Sequence, residues 1–439
     1  MFKLIPLLSL LLTLSISLPL KKDVSKYFAD LTGSNNYQTE IGNLPIRNGS
    51  SMFYQLVSAE NSTFYDTTKP LVIWLQGGPG CSSMFGLYTE IGPFVVGPNK
   101  TNTTNFSITI NPNTYAKESH LLFIDNPLGV GFSLLNNQTA TRYAQEAALD
   151  FEIFLQKFFE NHSMLKNSDL YLFGESYAGH YIPAFAAQIL SNKANNHLPN
   201  IVGIAIGDGW TDPIRQAVGY DSYAYSLGLI SKFRRNDYRR ASSHLFEAIE
   251  QGKYPEASGL FDYVTGNVAP AIPSLTDGIN IYNYRQYPIG NGMDDLSIFL
   301  NDNQTKQQFE IPENFNYVAC NDTMYLDFYD DISRSYKENI TYVLNQKNTK
   351  VLLYNGQNDI IVNTPSAENW IYSLKWDGAE KLLYSKKKFW NVNGKTVGTV
   401  KNVDSLTWVF VRNAGHMVPT DQPENAREMI NRWINSNWE

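Results

Sequence analysis

The chain has 439 residues, 43% of them hydrophobic and 18% charged, the balance of a globular protein with a sizeable core and not of a disordered one. That length suits two or three domains, or one large α/β domain with an insertion. A formal net charge of −7 supplies no electrostatic footprint for nucleic acid, and the two basic clusters, Arg234, Arg235, Arg239 and Arg240 and then Lys386, Lys387 and Lys388, read as solvated faces.

The first residues hold Lys3, an apolar run over 4–18 broken by Pro6, the small Ser15 and Ser17, and then the polar Lys21, Lys22 and Asp23. Residues 1–18 read as a signal peptide, short of the ~20 residues a spanning helix needs. No later segment is apolar enough to span, and the C-terminus carries no retention or lipidation motif. No membrane span is expected, and the chain is placed in the secretory pathway, secreted or lysosomal/vacuolar. Export fits the glycosylation sequons at Asn48, Asn61, Asn99, Asn102, Asn105, Asn137, Asn161, Asn303, Asn321 and Asn339, although chance supplies part of them in so Asn-rich a chain. It also fits Cys81 and Cys320, because an even count in an exported chain favours one disulfide over two free thiols.

Short apolar runs follow at 70–75 (PLVIWL), 120–124 (HLLFI), 169–173 (DLYLF), 201–206 (IVGIAI), 350–354 (KVLLY) and 406–411 (LTWVFV). Their length and their β-branched and aromatic content predict buried strands. Helical spacing covers 140–159, with Ala144, Ala147, Ala148, Phe151, Phe154, Leu155 and Phe158 on one face, and a second helix is expected over 177–190. Alternating strands and helices predict an α/β fold with a mostly parallel sheet flanked by helices. Between residues 211 and 338 the strand pattern gives way to helical and irregular segments. This predicts a core of 19–210 and 339–439 that carries a largely helical cap insertion over 211–338.

The run 174–179 (GESYAG) is a close variant of the G-x-S-x-G nucleophile elbow. A strand runs directly into it and a helix leaves it, which puts Ser176 on a sharp turn at the end of the sheet. A serine hydroxyl needs a base. His120 and His162 precede the serine, His180 is too local on the same helix, His197 lies in a polar loop and His244 in the insertion. His416, after the run 406–411, stands at the elbow's end of the sheet. The acid should fall between the two, after another strand, which selects Asp359; Asp404 precedes its strand and Asp421 follows the histidine. The order Ser176, Asp359, His416 is that of α/β-hydrolases. The glycine-rich stretch 76–80 (QGGPG) after the run 70–75 offers one oxyanion amide, with Tyr177 supplying the other. The sequence contains no HExxH, no Cys/His cluster, no P-loop and no GxGxxG, so neither metal nor other cofactor is expected.

These motifs resemble the serine carboxypeptidases, most closely the vitellogenic-like carboxypeptidases. The resemblance runs through 74–80 (WLQGGPG), 84–87 (MFGL), 124–127 (IDNP), 174–183, 203–209 (GIAIGDG), 354–362 and 415–423, nearly all of the chain apart from the insertion. It implies the α/β-hydrolase fold and a serine-type carboxypeptidase acting on peptide or protein C-termini, with a preference for acid. It further implies Gly78 and Tyr177 as oxyanion donors and Trp74, Gln76, Gly77, Glu90 and Glu175 as the set that binds the substrate carboxylate. Gln76 stands where many members carry Asn. Cys81 and Cys320 match a family disulfide, whereas other disulfides common in the family's insertion are missing. With two glutamates and a substrate carboxylate in one site, at least one glutamate should have a raised pKa. Phe85 and Met417 are candidate apolar wall residues. An acyltransferase or esterase on the same scaffold, or a silent protective glycoprotein, remain alternatives, and monomer and homodimer both stay open.

Overall fold

Segments buried on both faces form the centre of the sheet. The computed structural model describes residues 21–98, 106–136, 138–192, 198–265, 278–286 and 293–438; the expected signal peptide and the sequons at Asn99, Asn102, Asn105 and Asn137 lie outside them. The strands are β1 (Lys22–Asp23), β2 (Thr39–Arg47), β3 (Ser50–Val57), β4 (Leu71–Leu75), β5 (Phe94–Pro98), β6 (Phe106–Ile110), β7 (His120–Ile124), β8 (Leu170–Glu175), β9 (Ile201–Gly207), β10 (Lys350–Gly356), β11 (Lys388–Val392), β12 (Lys395–Val403) and β13 (Leu406–Val411). One sheet of 11 strands runs in the order β1-β2-β3-β7-β4-β8-β9-β10-β13-β12-β11, and β5 pairs with β6 separately. From β7 through β13 the pairings are parallel. At both edges they are antiparallel, so the sheet as a whole is mixed.

The six apolar runs in the sequence are the six parallel strands. The edge strands β2, β3, β11 and β12 escape such a reading because residues such as Asn43, Gln55 and Lys401 interrupt their apolar pattern. Two helices, Ala144–Asn161 and Ala178–Ser191, cover one face, and their Phe151, Phe154, Phe158, Tyr181 and Phe185 share a core with Ile73, Leu122 and Leu172. The other face packs Val72, Phe173 and Leu352 against the terminal helix Pro423–Ile434, through Met429 and Trp433.

Register places the site. Leu75 pairs with Gly174, Glu175 with Gly207, Gly207 with Tyr354, and Gly356 with Val411. The loops after β4, β8, β9, β10 and β13 therefore leave the sheet at one level, where α/β folds bind their ligands. Between β9 and β10 the described residues are largely helical, including Lys232–Glu250, Tyr254–Thr265, Met293–Asn301 and Asn303–Phe309. Phe261 joins one core and Phe299 and Phe309 the other, so these helices pack over the sheet instead of forming a core of their own. A Cys81–Cys320 disulfide ties the end of this segment to the loop after β4. Of the described sequons, Asn48, Asn61, Asn161 and Asn303 are exposed and Asn339 is half-buried. Asn321 is committed to structure: its Oδ1 accepts from Thr323 N–H and its Nδ2 donates to the Gly129 carbonyl.

Candidate active site

The turn between β8 and the helix Ala178–Ser191 forces Ser176 to φ 63°, a strained left-handed conformation that the surroundings must hold. They do so by hydrogen bonds and close packing. Ser176 N–H donates to Gly207 O at 3.0 Å, and Ser176 O accepts from Trp210 N–H at 2.9 Å. A Cβ at Gly174 would come within 2.6 Å of Ala178 Cβ, and one at Gly179 within 2.6 Å of Thr211 Oγ1. Strand, elbow and helix can therefore approach this closely only with glycine at both positions.

His416 comes from the loop after β13, where its N–H donates to Tyr282 O at 2.7 Å and Asp421 braces the loop by accepting from Gly415 N–H at 2.6 Å. Its Nδ1 bonds Asp359 Oδ2 at 2.7 Å. Asp359, 0% exposed, also accepts from Val362 N–H through Oδ1 at 3.1 Å. With Nδ1 engaged, Nε2 is left buried without a hydrogen-bond partner, on a side chain that shares one cleft with Ser176. The other described histidines are placed elsewhere. His120 lies between Ala59 N–H and Asp66 O, His162 bonds Glu40, His180 bonds Trp210 O, and His244 is exposed on a helix of the insertion. Asp404 pairs with Lys381 at the surface.

The glycine loop lies against the elbow. A Cβ on Gly77 would stand 2.6 Å from Tyr177 N, and Gly78 has φ 108°, which glycine adopts freely. Asp125 holds this loop, accepting from Ser82 Oγ and Ser83 N–H. On the other side Tyr177 Oη donates to Asp331 of the insertion, which also accepts from Tyr336.

Beside Ser176 lies a buried polar chain. Trp74 Nε1–H donates to Gln76 Oε1 at 2.8 Å, and Gln76 Nε2 donates to Glu90 Oε1 and to Glu175 Oε1, each at 3.3 Å. Gln76, Gly77 and Glu175 line the cleft; Trp74 and Glu90 stand behind them and reach it through Gln76. Burial raises Glu90 to about 7, and burial together with the neighbouring Glu90 raises Glu175 well above the usual carboxylate range.

The cleft is otherwise walled by apolar and aromatic side chains, among them Phe85, Phe261, Tyr282, Met293, Ile361 and Met417. Phe261, Tyr282 and Met293 come from the insertion, and no local pattern in its sequence marks them. Asp125 and Asp208 were equally unassigned, although both fall in stretches that carry the family resemblance. Oxygens of Asp208 and Asp359 and a nitrogen of His416 lie within 4.8 Å of one another, a grouping a cation can use. Here, however, the 2.7 Å bond between His416 and Asp359 turns two of those ligands on each other.

Burial raises Asp125 and Asp331 to about 6 as well. A carboxyl raised in the folded state stabilises at low pH and loses that contribution as pH rises through the folded value. The buried His180, lowered to about 4, and His120 act in the opposite sense, but the raised carboxyls, Glu90, Asp125, Asp331, Glu175 and Asp208, outnumber them. The expected result in calorimetry is a Tm that falls between about pH 5 and pH 8; a Tm that rises across that range contradicts it.

The comparisons agree with this geometry. The family profile described as serine carboxypeptidase matches residues 30–436. The chain is 35% identical over 393 residues to "Probable serine carboxypeptidase CPVL" of Dictyostelium discoideum, covering 88% of this chain and 76% of that protein. It is 34% identical over 422 residues to the venom serine carboxypeptidase of Apis mellifera, covering 94% and 85%. The crystal structure of Kex1(Δ)p, a prohormone-processing carboxypeptidase of Saccharomyces cerevisiae, superposes with a TM-score of 0.79 at 25% identity, covering 91% of each chain. With this profile spanning the chain and the sheet, elbow and histidine loop arranged as described, the protein belongs to the serine carboxypeptidase family.

Proposed function

We propose that the protein removes single residues from peptide C-termini through an acyl-enzyme on Ser176. Ser176 Oγ attacks the last peptide carbonyl while His416 Nε2 takes its proton. Asp359 holds the imidazole tautomer and stabilises the imidazolium. The oxyanion is received by the amides of Gly78 and Tyr177. The C–N bond then breaks, His416 gives the proton to the leaving amine, and water, activated by the same histidine, hydrolyses the ester. Gln76, the Gly77 amide and a protonated Glu175 receive the terminal carboxylate, with Glu90 and Trp74 fixing Gln76 from behind.

The observation that carries this reading is that Ser176 shares one cleft with Glu175, the front member of a buried glutamate pair whose other member, Glu90, stands behind Gln76. A protonated carboxyl pair can donate hydrogen bonds to an incoming carboxylate, which an ionised pair repels. The disulfide and the exposed sequons support a secretory route, with no helix among the described residues long and apolar enough to cross a membrane.

The apolar walls favour an apolar final residue, since a charged side chain would lose water there without a partner. In a peptide library followed by mass spectrometry, peptides ending in Leu, Phe or Met lose that one residue at least about tenfold faster than peptides ending in Lys or Asp. Internal cleavage, or equal rates for charged and apolar ends, contradicts the reading.

A further inference from the structure

One buried carboxyl with no role in the reaction above stands against Asp359. Asp208 follows β9, is 0% exposed and takes φ 43°, a conformation that non-glycine residues rarely adopt. Its N–H donates to Tyr354 O at 2.8 Å, and its Oδ1 accepts from Gly356 N–H at 2.9 Å, so β10 and its turn hold the side chain in place. Its Oδ2 is buried and receives no hydrogen bond. The carboxyl lies within hydrogen-bonding reach of Asp359 and Asn355, and an oxygen of it, one of Asp359 and a nitrogen of His416 fall within 4.8 Å of each other. Glu175, Tyr354 and Tyr223 face it from the remaining elements.

Two fully buried carboxyls this close cannot both stay ionised without a fixed cation. Asp359 already accepts from His416 Nδ1 and from Val362 N–H, which favours the charge there. Asp208 is left to hold the proton, and burial followed by the Asp359 charge pushes its carboxyl in that direction.

We propose that Asp208 is a positioning residue, a neutral acid whose Oδ2–H donates to Asp359 and fixes the carboxylate that orients His416. The inference rests on the Ser176–Asp359–His416 reading. A neutral donor braces Asp359 without adding a second negative charge, and such a charge would favour the imidazolium and disable the base in acid.

The test follows the rate at which a fluorophosphonate labels Ser176 as a function of pH, beside kcat and KM for a peptide. Asp208→Ala, which loses the donor, is expected to slow labelling and kcat roughly a hundredfold at unchanged KM. Asp208→Asn, whose amide still donates, is expected to stay within a few-fold of wild type with the acid limb of its labelling profile in place. Were Asp208 ionised, the Asn variant would shift that limb down by about two pH units. Such a shift, an Asn variant as slow as the Ala variant, or an Ala variant at the wild-type rate overturns the proposal. If the Ala variant does not fold, the Asn profile alone decides. A folded wild type that does not label overturns the Ser176 reading and this one together, whereas a wild type that labels leaves any failure with Asp208 alone.

Discussion

Ser176→Ala is expected to lower kcat by about 10⁶-fold while peptide affinity stays near the wild-type value. The loss is this large because nucleophile, base and carboxylate act as one unit: without Oγ the proton transfer to His416 has no purpose, and only the oxyanion amides and the binding groups remain. His416→Ala is therefore expected to be about as inactive as Ser176→Ala, and the double variant no worse than either. The groups proposed to bind the carboxylate, Gln76, Gly77 and Glu175, are untouched by either change. Equilibrium binding of a free-acid peptide to Ser176→Ala, measured by calorimetry, should thus persist. Retained turnover in either single variant, or losses that multiply in the double, contradicts the assignment.

The second large effect is on pH dependence. Glu90 ionises at about 7 and Glu175 well above the usual carboxylate range, burial being the first cause for both. Below that value the pair holds protons to donate, and above it the pair carries charge toward the substrate carboxylate. KM for a free-acid peptide is expected to be flat in acid and then to rise roughly tenfold per pH unit once one glutamate ionises. In the double variant Glu90→Gln, Glu175→Gln neither group can titrate. Its KM should lose that alkaline rise and, at about pH 8, lie below the wild-type value. Steady-state kinetics across pH checks both, and a double variant whose KM still climbs in parallel with wild type shows that other groups set the dependence.

The centre of the fold was legible because strands buried on both faces must be written as unbroken apolar runs, such as VIWL in β4 and WVFV in β13. The strands toward the edges carry charge or amides among their apolar residues, as Asn43 in β2, Gln55 in β3 and Lys388 and Asn391 in β11 do, and so give no such signal. The proposed catalytic constellation was legible for a different reason: in an α/β sheet the chain order of strands and loops dictates which residues reach the carboxyl edge. Ser176, Asp359 and His416 could be found by elimination along the chain. The carboxylate set came from family resemblance, and the geometry divides it into residues that line the cleft and the supporting Trp74 and Glu90. What could not be read is convergence across sequence distance. Phe261, Tyr282 and Met293 line the cleft from helical and irregular segments with no shared period, and Asp208 reaches Asp359 across 151 positions, the difference between their residue numbers. Asp331, similarly, meets Tyr177 only because the insertion folds back over the elbow.

The most direct measurement is kcat/KM at about pH 5 for a pair of peptides identical except that one ends in a free carboxylate and the other in a carboxamide. A clamp of Gln76 and protonated glutamates that selects chain ends predicts release of the terminal residue from the free acid, with kcat/KM for the amide lower by about 100-fold or more. Equal rates on the two peptides would contradict it.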